Sequence, residues 1–280
     1  MKHNFNIRMK YKGLLLIVAA TLYFSCDIKD PIYDYGNITL VTDWSKRTEG
    51  VEIPKSYTVI INNQELNFTE PTNLLPSFKE DTYSTLIYNT AEKITKEGAI
   101  ITVQTNNNQV APLPGWLFSS VLDIAYTYDT KKTITAVMQQ QIHQLTLILK
   151  PTGDTADYIE NIAASLSGVA ASWDLITNEA KGEEKSVPLT FEKQENGTWK
   201  VKARLLGIMG NKQLFTGTIT FKGELQNIPL ESDLSADLIG FNEGKHNPLS
   251  LGGDIETHIE AGFSATINAW TVITDEGIAW

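Results

Sequence analysis

Cysteine is almost absent from this sequence, since Cys26 is the only one among 280 residues. A disulfide needs two cysteines, so no internal disulfide can form, and a mature chain must depend on its apolar core for stability. Basic residues are also in the minority, because 23 Lys and Arg stand against 33 Asp and Glu and leave a net charge of -10. No cluster of Lys and Arg occurs beyond the N-terminal leader, so the composition argues against nucleic acid as a partner.

The motifs of common catalytic and metal sites are missing as well. The histidines are widely separated and include no His-x-x-x-His pair, so the sequence predicts no zinc site; they are His3, His143, His246 and His258. Neither a Gly-x-Ser-x-Gly elbow nor a phosphate-binding Gly-rich loop is present. The acidic pairs in 182–184 and 231–233 are interpreted as solvated loops, with glycosidase carboxylates as the alternative. We therefore predict a protein that is not an enzyme and holds no metal or cofactor, with His143 at a sheet surface or rim.

The N-terminus carries the most specific signal. A basic leader precedes the apolar run 13–24, which is shorter than the ~20 residues of a membrane-spanning helix. Ser25 and Cys26 follow, and the sequence then becomes polar and acidic. This order is typical of a secretory signal peptide, and a cysteine at the cleavage point is the acceptor of lipid in bacterial lipoproteins. We predict a signal peptide over 1–25, lipidation of Cys26 and an acidic tether over 26–36, with a free cysteine beside an ordinary cleavage site as the alternative.

Past the tether, the pattern is mainly that of β-strands. Short runs rich in β-branched and aromatic residues alternate in polarity and end at Asn, Gly or Pro. The segment 157–176 fits a helix or a strand, and a strand with a bulge at Gly168 is preferred. Asn196-Gly197 predicts a hairpin, because both residues tolerate positive φ. Gly217 is interpreted as a second bulge within a strand. The chain is therefore predicted to be all-β.

The polar stretch 176–186 contains Gly182 and is interpreted as a domain boundary. It divides the mature chain into two predicted β-sandwich domains, 37–178 and 179–280.

The tryptophans offer the one candidate ligand surface. Trp116 follows Pro114-Gly115 in a predicted loop, where an exposed ring could stack on a sugar. Trp44, Trp199 and Trp270 lie in predicted strands and are interpreted as core residues. A surface glycan-binding lipoprotein is therefore kept as the alternative function.

Two segments, "ITLVTDW" and "IHQLTLILKPTGDTADYIENIAASLSGVAASWDL", together with Ser25-Cys26, resemble the fimbrillin-associated anchor and accessory lipoproteins of Bacteroides-type bacteria. The stretch "QIHQLTL" departs from the basic pattern usual there. The resemblance implies two transthyretin-like β-sandwich domains and a lipid-anchored, surface-exposed pilus subunit at the outer membrane that serves adhesion. It implies fimbrial stalk or accessory subunits as partners, joined by addition of an extended strand to a groove or sheet edge.

The resemblance also raises the question of proteolytic processing, because related stalk subunits are cut after a basic residue. Lys46-Arg47 follows the first predicted strand and is the only adjacent basic pair nearby. An ordinary turn is the preferred interpretation, and cleavage after Arg47 is the alternative.

Overall fold

The computed structural model describes residues 36–223, 226–257, 265–267 and 269–274. The predicted signal peptide, Cys26 and nearly all of the predicted tether lie outside these residues, as do His258 and Trp280. Within the described part, the regular structure is β-strand apart from a single 3-10 turn at Ala156–Tyr158. No helix in that part is long and apolar enough to cross a membrane. The prediction of an all-β chain is confirmed.

The strands are numbered in chain order. They are β1 (Asn37–Asp43), β2 (Tyr57–Ile61), β3 (Gln64–Phe68), β4 (Thr72–Leu74), β5 (Asp81–Tyr88), β6 (Ile94–Glu97), β7 (Ile100–Val103), β8 (Thr105–Asn106), β9 (Gln109–Val110), β10 (Phe118–Tyr126), β11 (Lys131–Val137), β12 (Gln139–Gln140), β13 (His143–Thr152), β14 (Ile159–Asp174), β15 (Glu179–Thr190), β16 (Glu192–Lys193), β17 (Trp199–Leu205), β18 (Leu214–Phe221), β19 (Ile228–Asp233), β20 (Leu249–Thr257), β21 (Ala265–Ile267) and β22 (Thr271–Val272).

The first sandwich consists of a three-stranded sheet, β11-β1-β4, and a five-stranded sheet, β12-β10-β5-β2-β3. In β1 the alternation of the sequence puts Ile38 and Leu40 into the core. β1 runs parallel to β11 over its whole length and antiparallel to β4. Trp44, just past β1, packs edge-on against Phe118 with the ring centroids 5.6 Å apart. One apolar cluster thus joins both sheets.

The second sandwich is larger. One sheet has the order β16-β17-β13-β20-β21, with β22 also paired to β20. The other has the order β19-β18-β14-β15-β9-β8, with β6 and β7 joined to β14. A single apolar cluster packs between them, and it includes the buried rings of Trp173, Trp199 and Trp270. The predicted core positions of Trp44, Trp199 and Trp270 are therefore confirmed.

The two cores do not divide where the sequence suggested. The expected boundary between 178 and 179 lies in the turn of a long hairpin, because β14 and β15 pair from Ala163↔Thr190 to Asp174↔Glu179. Met138 belongs to the first apolar cluster and Ile142 to the second. The polar residues read as a linker are the solvent-facing arm of that hairpin. The division into 37–178 and 179–280 therefore does not match the packing, and the chain passes between the sandwiches near β12.

The second sandwich also takes strands from earlier in the chain. Ile101, Val103 and Val110 belong to its core, although they precede β10 and β11 of the first sandwich. β7 pairs antiparallel with the end of β14, where Ile101 lies opposite Trp173. The stretch 89–117 is therefore an excursion from the first sandwich into the second.

Of the two glycines predicted to mark bulges, the one in β14 does and the one in β18 does not. Gly168 has a φ of 69°, and the register of β14 against β15 shifts between Leu166 and Val169. The predicted bulge in β14 is confirmed. Gly217 is paired in regular register with Ala164 and Leu230, so it does not mark a bulge. A Cβ at Gly217 would lie 2.6 Å from the carbonyl oxygen of Ala163, which explains why only glycine fits there.

The hairpin predicted at Asn196-Gly197 connects β16 and β17. Gly197 has a φ of 84°, whereas Asn196 is not among the residues with positive φ. The Asn196 side chain instead accepts a hydrogen bond from the backbone N–H of Thr198 at 3.1 Å. The turn is thus shaped by one left-handed glycine and one Asx interaction.

Candidate functional site at the junction of the two sandwiches

Gln140 is the polar centre of the junction. It lies on β12 and is buried. Its Oε1 accepts a hydrogen bond from the backbone N–H of Thr48 at 2.8 Å, and its Nε2 lies 2.7 Å from the carbonyl oxygen of Lys245. Nε2 also lies 2.7 Å from the carbonyl oxygen of Ile142. The loop after β1 and the loop before β20 are therefore tied to one amide, and removing it would leave buried polar groups unpaired.

Thr48 makes a second connection between the same loops. Its hydroxyl donates a hydrogen bond to the carbonyl oxygen of His246 at 2.9 Å. Since Thr48 lies beyond β1 of the first sandwich and His246 lies before β20 of the second, this contact bridges the two units directly.

His143 lies inside the junction and not at a sheet surface or rim, where the sequence placed it. The side chain is 4% exposed, and its ring stacks on Phe241 with the centroids 4.1 Å apart. Nδ1 and Nε2 each lie 2.6 Å from a carbonyl oxygen, of Phe241 and of Asn247 respectively. Burial lowers the pKa of His143, although these two carbonyls act in the opposite direction. The imidazole thus connects β13 to the loop between β19 and β20.

Lys245 is the least expected side chain in this region. It is 6% exposed, and Nζ has no hydrogen-bond partner in the described part of the chain. The amino group lies 3.5 Å from the centroid of the Trp173 ring. Burial lowers the pKa of Lys245 from 10.5 to about 7. The sequence analysis did not identify Lys245, because "GKHNP" resembles an ordinary polar turn. The Trp173 ring that it contacts belongs to β14, far away in the sequence.

A cleft of about 720 Å³ opens beside the junction. One wall is formed by the neighbouring strands β10 and β11, through Val121, Leu122 and Thr135. The other wall is formed by the turn after β14 and by residues 242–246. Clefts between structural units are common places for ligands and partners.

A second cleft, of about 600 Å³, lies within the larger sandwich. Its walls come from β15 and β17 together with Pro112 and Leu113. Lys200 and Lys202 line it on the β17 side, and Pro188 and Thr190 line it on the β15 side.

Arg47 is held in the loop that follows β1. Its Nε donates a hydrogen bond to the carbonyl oxygen of Val51 at 3.0 Å, and a terminal nitrogen donates to the carbonyl oxygen of Trp44 at 3.2 Å. The side chain is half-buried, whereas Lys46 beside it is exposed. The pair therefore lies in a turn that is fixed by its own hydrogen bonds and by Thr48.

Trp116 is half-buried between the two apolar clusters and packs against both of them. The guanidinium carbon of Arg204 lies 4.8 Å from the centroid of the Trp116 ring, so a cation covers one face. Arg204 is fixed there by a hydrogen bond to the carbonyl oxygen of Pro114 at 2.9 Å. A ligand that stacked on this face would first have to displace the arginine.

The acidic pairs considered in the sequence as possible catalytic carboxylates lie on different strands. Glu183 and Glu184 are exposed on β15, and Glu231 and Asp233 are exposed on β19. The hydroxyl of Ser235 lowers the pKa of Asp233 by hydrogen bonding to its carboxylate. No group of three His, Cys, Asp or Glu side chains in the described ranges is placed to hold a metal ion. Cys26 lies outside those ranges.

The fold is shared with solved structures of proteins from Porphyromonas and Bacteroides. The fimbrial anchor protein Mfa2 from Porphyromonas gingivalis has a TM-score of 0.60 at 11% identity, covering 85% of this chain and 97% of that one. A candidate adhesin from Bacteroides ovatus has a TM-score of 0.57 at 12% identity, covering 84% and 93%. A candidate polysaccharide-binding protein from Bacteroides thetaiotaomicron has a TM-score of 0.54 at 9% identity, covering 86% and 99%. At such low identities these structures share the fold alone.

The sequence itself defines the family. Residues 78–276 match the family described as fimbrillin-A associated anchor proteins Mfa1 and Mfa2. The match covers more than half of the chain, so this protein belongs to that family, and the resemblance stated from the sequence is confirmed. A search of curated proteins gave no match.

Proposed function

We propose that this protein is an anchor or accessory subunit of a fimbrium, held at the outer membrane through lipid on Cys26. Its domains join other fimbrial subunits by β-strand addition. The observation that carries the proposal is the family match over residues 78–276. The shared two-sandwich fold of the Porphyromonas gingivalis anchor protein Mfa2 supports it. In this role the chain is a structural and not a catalytic component.

The proposed lipid anchor depends on the N-terminal sequence. A thiol at Cys26, directly after a small residue and an apolar run, is the group that lipoprotein acylation needs. Each buried methylene of an acyl chain contributes ~0.8 kcal/mol, so a multiply acylated cysteine holds a protein at a membrane without a spanning helix.

The proposed anchor remains uncut at Arg47. Both Cys26 and β1 precede Arg47 in the chain, so a cut there would leave the lipid attached to the sandwiches only through the non-covalent contacts of the segment that contains β1. Arg47 is also held by Val51 and Trp44 in its turn. Proteases need an extended, accessible segment, so this turn would have to open before cleavage.

The test is a crosslinking pull-down from intact cells that express the full chain. We expect the wild type to recover fimbrial subunits in the membrane fraction. Cys26→Ala removes the acylated thiol, so both the chain and those subunits should leave that fraction. Ser25→Ala keeps a small residue before the cysteine and serves as the matched control, which should stay anchored. Recovery of no fimbrial subunit with the wild type would overturn the proposed function.

The alternative function is binding of a surface glycan. The candidate polysaccharide-binding protein from Bacteroides thetaiotaomicron shares the fold. The position of Trp116 weighs against this alternative, because Arg204 covers one face of the ring and both apolar clusters contact it. Retention of the wild type on a polysaccharide column, together with no fimbrial partner in the pull-down, would favour the glycan function.

A further inference from the structure

The strands β10 and β11 follow each other in the chain but belong to different sheets, and both have an open side. β10 pairs with β5 along Ser119–Tyr126, and in the part of the chain that the structure describes its other side pairs with β12 at Phe118 and Ser119 alone. β11 pairs with β1 along its whole length and, within the described residues, with no other strand. The two open sides border the cleft of about 720 Å³ beside the junction.

The backbone of β10 has free groups on this side. In an antiparallel sheet, alternate residues direct their N–H and C=O groups to opposite neighbours. The carbonyl of Phe118 accepts a hydrogen bond from Asn89 on the β5 side, and that of Leu117 accepts one from Gln141 on the β12 side. The backbone N–H and C=O groups of the odd-numbered residues of β10 are therefore directed toward the cleft. Past the two residues that pair with β12, these residues are Val121, Asp123 and Ala125.

The same reasoning applies to β11. Met138 donates its backbone N–H to the carbonyl of Asp43, and Thr130 accepts from the N–H of Asn37. The even-numbered residues thus face β1, and the backbone groups of Thr133, Thr135 and Val137 are directed away from it. Within the described residues these groups have no backbone partner, so an incoming strand would find donors and acceptors on both sides of the cleft.

The second cleft offers a contrast, because its edges are protected. Arg204 of β17 already donates its backbone N–H to the carbonyl of Pro112. Pro188, on the β15 side, has no N–H to donate, and Lys200 and Lys202 line the β17 side. Proline and lysine on an edge are devices that prevent strand addition. The sequence of β10, "FSSVLDIAY", contains neither, and its Val121 is 38% exposed. The lysines of β11, Lys131 and Lys132, lie at its start, and the residues of β11 that line the cleft are Thr135 and Val137.

From this asymmetry we infer that the cleft between β10 and β11 is the acceptor site for an extended strand of a partner subunit. This inference rests on the proposed function and assigns the strand addition to one edge. The strand adds along the open side of β10, with apolar side chains at alternate positions beside Val121 and Val137. It does not add at the second cleft, between β15 and β17, or along the polar outer edge of β3.

The charges at the junction end of the cleft specify the partner further. Lys46 is exposed at that end, Glu243 is the one acidic residue among those described that lines the cleft, and Lys245 and His246 also line it, with Lys245 buried. The whole chain carries a net charge of -10, so this end is locally less acidic than the rest. A carboxylate at one end of the incoming strand, from Asp, Glu or a chain terminus, would be complementary to the exposed Lys46.

An edge proline tests the inference. Val121→Pro removes the cleft-facing N–H of β10, while the hydrogen bonds to β5 come from the even-numbered residues. Glu65→Pro is the matched control: Ile61 and Gln64 close a two-residue hairpin, so Glu65 of β3 directs its N–H to the outer edge of the same sheet. We expect Val121→Pro in the full lipidated chain to lower recovery of fimbrial subunits at least about tenfold, equivalent to roughly 1.4 kcal/mol. Glu65→Pro should leave recovery unchanged.

A second variant covers the case in which the proline disturbs folding. Val121→Lys places a charge that opposes strand addition at an exposed position of the β10 edge. Because the position is exposed, the variant should keep the melting temperature of the wild type. It should also reduce subunit recovery, and Lys46→Glu should reduce it by reversing the charge at the junction end. Equal recovery with wild type, Val121→Lys and Val121→Pro would overturn the inference and leave the proposed function intact. No recovery with the wild type would instead overturn the proposed function, and this inference with it.

Discussion

The amino group of Lys245 lies 3.5 Å from the centroid of the Trp173 ring and has no hydrogen-bond partner in the described part of the chain. Two effects oppose each other there. A cation over a desolvated indole gains ~2 kcal/mol, whereas burying an ammonium ion costs several kcal/mol. By these magnitudes the desolvation cost is larger, and burial lowers the pKa of Lys245 from 10.5 to about 7.

Lys245→Met should therefore stabilise the protein at low pH. Below pH 7 the amino group is charged in both folded and unfolded chains, so the wild type bears the full cost of burying it. Between pH 7 and 10.5 the unfolded chain binds the proton more strongly, so the stability of the wild type rises with pH. We expect the variant to have the larger free energy of unfolding at pH 6, and the difference to shrink by pH 9.5.

Urea unfolding of both proteins across this pH range measures that difference directly. Comparing the variant with the wild type cancels the other titrating groups, which the two chains share. A variant less stable than the wild type at pH 6 would mean that the contact with Trp173 outweighs the desolvation of the ammonium ion.

Gln140 should contribute more to stability than its neighbour on β12. Gln140→Ala leaves the N–H of Thr48 and the carbonyl of Lys245 without their partner in a buried junction. Leaving buried polar groups unsatisfied costs about 1–3 kcal/mol, so we expect a loss of about 2 kcal/mol in the free energy of unfolding. Gln139→Ala changes an exposed side chain and should cost less than about 0.5 kcal/mol.

Differential scanning calorimetry would add information on coupling. Because Gln140 connects loops of both sandwiches, Gln140→Ala should separate one unfolding transition into two or broaden it. An equal effect of Gln139→Ala and Gln140→Ala on both the midpoint and the width would contradict the role given to Gln140.

Replacing Gly168, in the bulge of β14, by alanine should destabilise the protein more than the same change at Gly182, which has a similar backbone conformation but open space around it. Gly168 and Gly182 have φ values of 69° and 81°. A Cβ at Gly168 would lie 2.5 Å from the carbonyl oxygen of Lys212, whereas a Cβ at Gly182 meets nothing within 4 Å. Gly182→Ala should cost about 1 kcal/mol, from backbone strain alone. Gly168→Ala adds a clash and should cost at least about 2 kcal/mol. Equal losses on thermal unfolding would show that strain, and not space, dominates at Gly168.

Local patterns predicted the strands well. Alternation of apolar residues indicated β1, and Gly168 inside an apolar run indicated the bulge of β14, because both features depend only on neighbouring residues. The division into sandwiches depends on pairing between distant segments. β7 joins β14 through Ile101 and Trp173, and nothing in either segment specifies that partner. The first part of β15, residues 179–186, is polar because it faces solvent, which is also typical of a linker.

The junction was harder to predict for the same reason. His143 shares the parity of the buried Leu145 and Leu147, so the alternation placed it on the core face, and only its polarity suggested a rim. Its burial is possible because a carbonyl oxygen, of Phe241 or of Asn247, lies within hydrogen-bond distance of each ring nitrogen, so the nitrogen that carries the proton has an acceptor. Those oxygens come from a loop about a hundred residues further along the chain. A local sequence pattern contains no information about such a contact.

The contact between Arg204 and Trp116 allows the glycan alternative to be tested. Arg204→Ala uncovers one face of the indole, whose ring would then resemble the open platforms on which sugars stack. If the protein is a fimbrial subunit, this variant should leave pull-down of fimbrial subunits unchanged and should gain no retention on polysaccharide. Arg204→Lys keeps the charge but loses the planar contact, and it is the matched control. Polysaccharide retention by the wild type that is lost in Trp116→Ala and strengthened in Arg204→Ala would instead identify Trp116 as a sugar-binding residue that the arginine covers.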